Sequence, residues 1–106
     1  LKFDHRATGD RIILNATPEN ITEGGIFIPR WDNKESDRGT VVAVGPNVVD
    51  SRIIPGVELI FGRFAATHFK GDSFGFTKEY EFVVIREEDV MMILQPKLEL
   101  KSVGNH

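Results

Sequence analysis

The chain has 106 residues, a formal net charge of −3 and no cysteine. Its length suits one compact domain. Its mild acidity argues against a general nucleic-acid binder, and the missing cysteine removes disulfide frameworks, zinc-thiolate sites and cysteine nucleophiles together. No apolar run approaches the ~18 residues that a membrane-spanning helix needs. The opening "LKFDHRATGD" carries charges early and no apolar core, so it does not read as a secretory signal.

In chain order, the first strand signal is "RIILN" (11–15). After it comes a polar, turn-rich stretch running from Asn15 to Arg38, interrupted by Pro18, Gly24, Gly25 and Pro29. Loops beyond about 12–15 residues are uncommon in compact domains and are usually functional or disordered. This one is expected to be a mobile arm. Further strands are expected at "GTVVAVG" (39–45), "VELIFGRF" (57–64), "EYEFVVI" (79–85) and "VMMIL" (90–94). In 79–85 the alternation puts Tyr80, Phe82 and Val84 on one face, with Glu79, Glu81 and Val83 on the other. Gly-Pro-Asn (45–47), Pro55-Gly56 and Gly71-Asp72-Ser73 read as turns. "REEDVMM" (86–92) is the only helical candidate, and a turn feeding the last strand is preferred for it. Short strands with turn punctuation imply an all-β barrel or sandwich in a single domain spanning 1–106, with a polar tail at 95–106.

Within the arm, Ile26, Phe27 and Ile28 follow Gly24-Gly25 and precede Pro29. Locally they fit either a short core strand or an apolar docking peptide. The polar flanks and the nearby Trp31 favour docking, in which an extended segment lays side chains into a partner's groove. Burying such side chains supplies about 1.5–3 kcal/mol each. Fixing a backbone residue costs roughly 1–2 kcal/mol. One arm should therefore bind weakly, and useful affinity would come from several arms acting together.

Enzymatic readings find little support. His5, His68 and His106 are scattered, the serines lie in no nucleophile elbow, and Glu87-Glu88-Asp89 reads as a solvated acidic turn. No metal, cofactor or catalytic group is expected. A monomeric β-barrel adaptor that binds a peptide or nucleic acid through Trp31, Tyr80 and the phenylalanines is the alternative, and the acidic balance weighs against nucleic acid.

Five segments in one consistent order resemble the GroES, or chaperonin-10, co-chaperonin family. They are Asp10-Arg11 with its apolar strand, Gly24-Gly25-Ile26-Phe27-Ile28-Pro29, Arg38-Gly39 with "VVAVG" (41–45), and the pair "PGVELIFGRFAAT" (55–67) and "EYEFVVIREEDVMMIL" (79–94). The resemblance implies a small β-barrel in a heptameric ring that caps a GroEL-type large chaperonin, in its nucleotide-bound state, over an encapsulated folding substrate in the bacterial cytoplasm. It implies no ATPase activity of the cap itself. By position, Ile26, Phe27 and Ile28 would be the docking residues and Gly24 and Gly25 their flexible approach. Arg11, Ile12, Ile13 and Leu14, with Met91, Met92, Ile93 and Leu94, would meet neighbouring subunits.

The chain departs from the family pattern in three places. "PNVVDSRIIP" (46–55) is shorter than the segment that roofs typical bacterial rings. Val57-Glu58 reverses the family's usual acidic–apolar order, which leaves the local register open. "HFKGDSFGFTK" (68–78) is longer than its counterpart and brings Phe69, Phe74 and Phe76, expected either to pack in the barrel or to line the cap. The short roof and the Phe-rich segment together raise the expectation of a bacteriophage-encoded member that replaces the host's cap.

Overall fold

Six short antiparallel strands make up the sheet of this computed structural model, which describes residues 2–17 and 35–94. They are β1 (Arg11–Asn15), β2 (Ser36–Val44), β3 (Glu58–Gly62), β4 (Thr67–Lys70), β5 (Glu81–Arg86) and β6 (Val90–Ile93). The order across the sheet is β4-β5-β1-β2-β3-β6. The 3-10 turns Arg63–Ala65, Gly71–Phe74 and Glu87–Asp89 are the only helical pieces among the described residues.

The connection between β5 and β6 shows why this sheet cannot lie flat. Four strand spacings separate the two in the sheet order, about 19 Å in a flat sheet. The link is the three-residue turn Glu87–Asp89, and the chain from Arg86 to Val90 reaches at most about 14 Å. The sheet must therefore curl until its far strands approach each other, which makes a barrel. Two bulges help it bend. Val42 is the extra residue where Ile13 pairs with Ala43 and Leu14 with Val41. Met91 is the extra residue where Ile60 pairs with Met92 and Phe61 with Val90. A bulge kinks its strand and strengthens the local twist.

Alternate residues of the curled strands fill the interior. Ile12 and Leu14 of β1, Val41 of β2, Leu59 and Phe61 of β3, and Val83 and Ile85 of β5 form one buried cluster, joined by Ile53. β5 keeps the alternation expected of it, but both of its faces are buried near its start. Val83 and Ile85 face the core, while Phe82 is buried on the other face. The reason is a second, aromatic layer. Phe82 lies 5.1 Å from Phe3, 5.5 Å from Phe74 and 5.3 Å from Phe76, measured between ring centroids. His5 Nε2 also meets the Phe74 carbonyl at 2.8 Å. The Phe-rich segment thus packs against the N-terminal stretch and β5. It also holds β4, a strand the sequence reading did not anticipate.

The 46–57 connection has no strand of its own, which matches the shortened roof. It folds onto one end of the barrel, with Ile53 in the core and Val48 packed against it. The Glu87 carboxylate accepts the backbone N–H groups of Val49 at 3.0 Å and Asp50 at 2.9 Å. The acidic turn therefore does more than face solvent: it ties the short roof to the link that closes the barrel. Glu58 opens β3 as an exposed residue, and Val57 packs on the core, which fixes the local register.

Gly45 marks one of the two tightest backbone crossings among the described residues. A Cβ at that position would lie 2.3 Å from the Gly9 carbonyl oxygen, 2.9 Å from that of Thr8 and 3.0 Å from that of Arg11. All three are main-chain atoms, so the chain would have to move. Gly45→Ala is expected to destabilise the barrel by about 1–3 kcal/mol, read as a lower melting temperature. An unchanged melting temperature would disprove the close approach. Asp50 supplies a second check. Hydrogen bonds from the Arg52 side chain and backbone hold its carboxyl down to about 2, against an ordinary 3.8. The pair is therefore intact above pH 3.8 and is lost as pH falls through about 2. Arg52→Ala should move the Asp50 titration upward toward 3.8 in carboxyl-carbon NMR; a midpoint still near 2 would show that Arg52 is not the cause.

Candidate functional site

The long connection between β1 and β2 leaves and re-enters the barrel at one end of the sheet. β1 ends at Asn15, opposite Thr40 of β2. β2 starts earlier, at Ser36, and its first residues pair with β3 instead, Ser36 with Gly62 and Asp37 with Phe61. The expected arm of 15–38 is thus narrower at both ends, because Asn15 and Ser36–Arg38 are strand residues. Gly24, Gly25, Ile26, Phe27 and Ile28 lie outside the described residues.

The first foot of the connection is held by a side-chain clasp. Asn15 Oδ1 accepts the backbone N–H of Thr17 at 3.0 Å, the two-residue reach of an Asx turn, and also accepts the Thr17 hydroxyl. The Thr17 hydroxyl oxygen in turn accepts the N–H of Glu81 at 3.0 Å, and the Glu81 carbonyl accepts the N–H of Ala16 at 2.8 Å. The Glu81 carboxylate is turned toward His68 Nδ1 at 2.9 Å. The second foot rests on the turn after β3, where Arg63 N–H donates to the Glu35 carbonyl at 3.0 Å. Arg63 Nε is buried with no hydrogen-bond partner among the described residues, and the Asp37 carboxylate faces it at 4.0 Å. Sequence reasoning missed Thr17 and Glu81. The Asn15-Ala16-Thr17 spacing was the available signal for the turn, whereas the reach to Glu81 is a tertiary contact that no local pattern encodes.

The interface candidates separate into two groups. Ile12 and Leu14 are fully buried in the chain's own core, and Ile13 is buried on the opposite face. β1 also has a hydrogen-bonded neighbour on each side, β2 and β5. Within one chain, these three residues thus have little side-chain surface and no free strand edge. Arg11 is exposed, with its guanidinium donating to Thr8 Oγ1 at 3.1 Å. Among the described residues β6 is an edge strand, paired with β3. Met91 and Met92 on it are 63% and 54% exposed, Ile93 packs toward the core, and Leu94 N–H donates to the Glu58 carbonyl at 2.9 Å. A groove of about 330 Å³ runs between this strand, Asp50, Arg52 and Glu87.

A family model described as the chaperonin 10 kDa subunit matches residues 4–94. The co-chaperonin GroES of Geobacter metallireducens is 32% identical over 98 residues, which cover 85% of this chain and 97% of the relative. The co-chaperonin GroES of Rhodothermus marinus is 30% identical over 101 residues, covering 89% and 95%. That of Bordetella petrii is 34% identical over 98 residues, covering 85% and 97%. A curled antiparallel sheet, one long connection at its end and a match that runs through every strand lead to one conclusion: this chain belongs to the chaperonin-10, or GroES, co-chaperonin family.

Proposed function

We propose that the protein is a non-catalytic cap: a heptameric ring of these barrels closes the folding chamber of a GroEL-type large chaperonin in an ATP-dependent cycle. The observation that carries this is family membership through residues 4–94. The ATPase is the large chaperonin, and the cap adds a lid and a count of binding arms. Ile26, Phe27 and Ile28 dock in a groove on the large chaperonin, and Gly24 and Gly25 give the segment its approach. Because each arm binds weakly, the ring binds through the effective concentration of several arms on one scaffold. The cap works in the cytoplasm, over an encapsulated folding substrate. The short 46–57 roof supports a phage-encoded replacement cap with a reduced roof. The phenylalanines of 68–78 lend that reading no support, since Phe74 and Phe76 pack against Phe3 and Phe82.

Subunits meet head to tail along the open edge of β6, through Met91, Met92, Ile93 and Leu94 with Arg11 at the rim. The free edge and the exposed methionines support this, and a heterologous contact of this kind closes into a ring when its rotation allows. The Met91 bulge keeps that edge from pairing indiscriminately.

Mass by light scattering, alone and with a large chaperonin plus ATP, tests the whole reading. A heptamer that joins the chaperonin only with nucleotide is expected. A stable monomer that ignores the chaperonin would favour the adaptor instead. Phe27→Asp or Ile26→Asp should abolish chaperonin binding and leave the ring mass unchanged; normal binding by either variant would remove the docking assignment. Met91→Glu with Met92→Glu should lower the mass to that of the subunit while the circular dichroism of the barrel persists. An intact ring would move the contact elsewhere.

A further inference from the structure

We propose that Thr17 is a positioning residue for chaperonin docking: its hydroxyl, clasped between Asn15 and Glu81, fixes the point at which the connection carrying Ile26–Ile28 leaves the barrel. The inference rests on the co-chaperonin reading above and deepens it.

The clasp uses one small side chain as both donor and acceptor. The Thr17 hydroxyl donates its hydrogen to Asn15 Oδ1 and accepts from Glu81 N–H. Asn15 Oδ1 also takes the Thr17 backbone N–H, so three polar groups are satisfied around one oxygen pair. Ala16 between them is bonded to the Glu81 carbonyl, which continues the β1–β5 ladder one residue past the end of the strand. The attachment beneath is stiff. Asn15 pairs in register with Phe82, and Phe82 is buried under the aromatic layer of Phe3, Phe74 and Phe76. Without the hydroxyl, Glu81 N–H loses its acceptor and Asn15 loses one of two donors. Ala16 and Thr17 would then join the length of chain that has to be ordered when the apolar residues dock. Fixing more backbone lowers affinity, and the loss multiplies over arms that share a ring.

Thr17→Val keeps the shape and removes the hydroxyl. Thr17→Ser keeps the hydroxyl. The experiment uses the full-length ring, a GroEL-type chaperonin and ATP, and measures the dissociation constant, melting temperature and hydrogen exchange. Thr17→Val is expected to weaken ring binding at least tenfold and to speed exchange at Thr17 and Glu81. The barrel's melting temperature should hold, and Thr17→Ser should bind like the unaltered ring. Asn15→Ala, which leaves the bond to Glu81, should give a smaller loss. Unchanged binding by Thr17→Val would overturn the inference, as would equal losses in Thr17→Val and Thr17→Ser. A fall in melting temperature that tracks the binding loss would do the same, because it would make Thr17 a stability residue only. If the unaltered ring does not bind, or Phe27→Asp binds normally, the co-chaperonin reading or its docking assignment fails instead, and the two failures are thereby told apart.

Discussion

The three-residue link Glu87–Asp89 is the constraint on which the molecule depends. It joins strands that the sheet order sets four places apart, so it permits only a curled sheet. The rest of the architecture supports that curl. Bulges at Val42 and Met91 bend the strands, and small backbone crossings such as the one at Gly45 let the N-terminal stretch pass closely beneath the end of β2. The same link also reaches outward through Glu87 to hold Val49 and Asp50. A roof too short to make a hairpin is thus anchored by a side chain from the element that closes the barrel.

The burial pattern divides the work between two apolar layers. The inner layer is aliphatic with one phenylalanine, Phe61, and uses Ile, Leu and Val from β1, β2, β3 and β5. The outer layer is almost wholly aromatic and is assembled from distant parts of the chain: Phe3 from the N-terminal stretch, Phe74 and Phe76 from the insertion, Tyr80 just before β5 and Phe82 within it. Aromatic rings suit such a thin layer, because each covers a wide area and meets its neighbours through edge and tilted contacts. Gly71 lets the insertion fold back tightly, since a Cβ there would come within 2.3 Å of the Thr77 carbonyl oxygen. By covering Phe82, this layer lets β5 be apolar on both faces near its start and stiffens the sheet below the long connection.

Much of this was legible in the sequence. β1 is where "RIILN" placed it, and the acidic turn feeding a last strand was read correctly from "REEDVMM". Turn residues and β-branched runs carry those signals locally. The misreadings share one physical origin, which is dependence on partners far away in the chain. β2 begins three residues before Gly39 because Ser36, Asp37 and Arg38 pair with β3, and nothing in "SDR" itself demands a strand. β4 was hidden because its four residues are all exposed and show no apolar alternation. The second core around Phe82 was hidden because its partners Phe3 and Phe74 lie elsewhere in the chain. Ile12 and Leu14 were placed among the subunit-contact candidates by resemblance alone, and their burial within the barrel shows only in the fold. The apolar triplet was plain in the sequence, whereas the bond between Thr17 and Glu81 needed three dimensions.

The layout of β1 and β2 also has a mechanical meaning. Both legs of the long connection enter the sheet at the same end, and each continues lengthwise as a strand. β1 is held by five register pairs to β5, and β2 by five to β3. Hydrogen bonds of an antiparallel ladder lie across the strands. A tug on the connection therefore draws β1 and β2 along their own axes and loads all the rungs together, in shear, instead of opening them one after another. β2 alone carries such a load over its nine residues, about 30 Å, to the edge of the short roof. The barrel is built as a handle whose two rods run through its body, so tension applied at one end is shared by the whole wall.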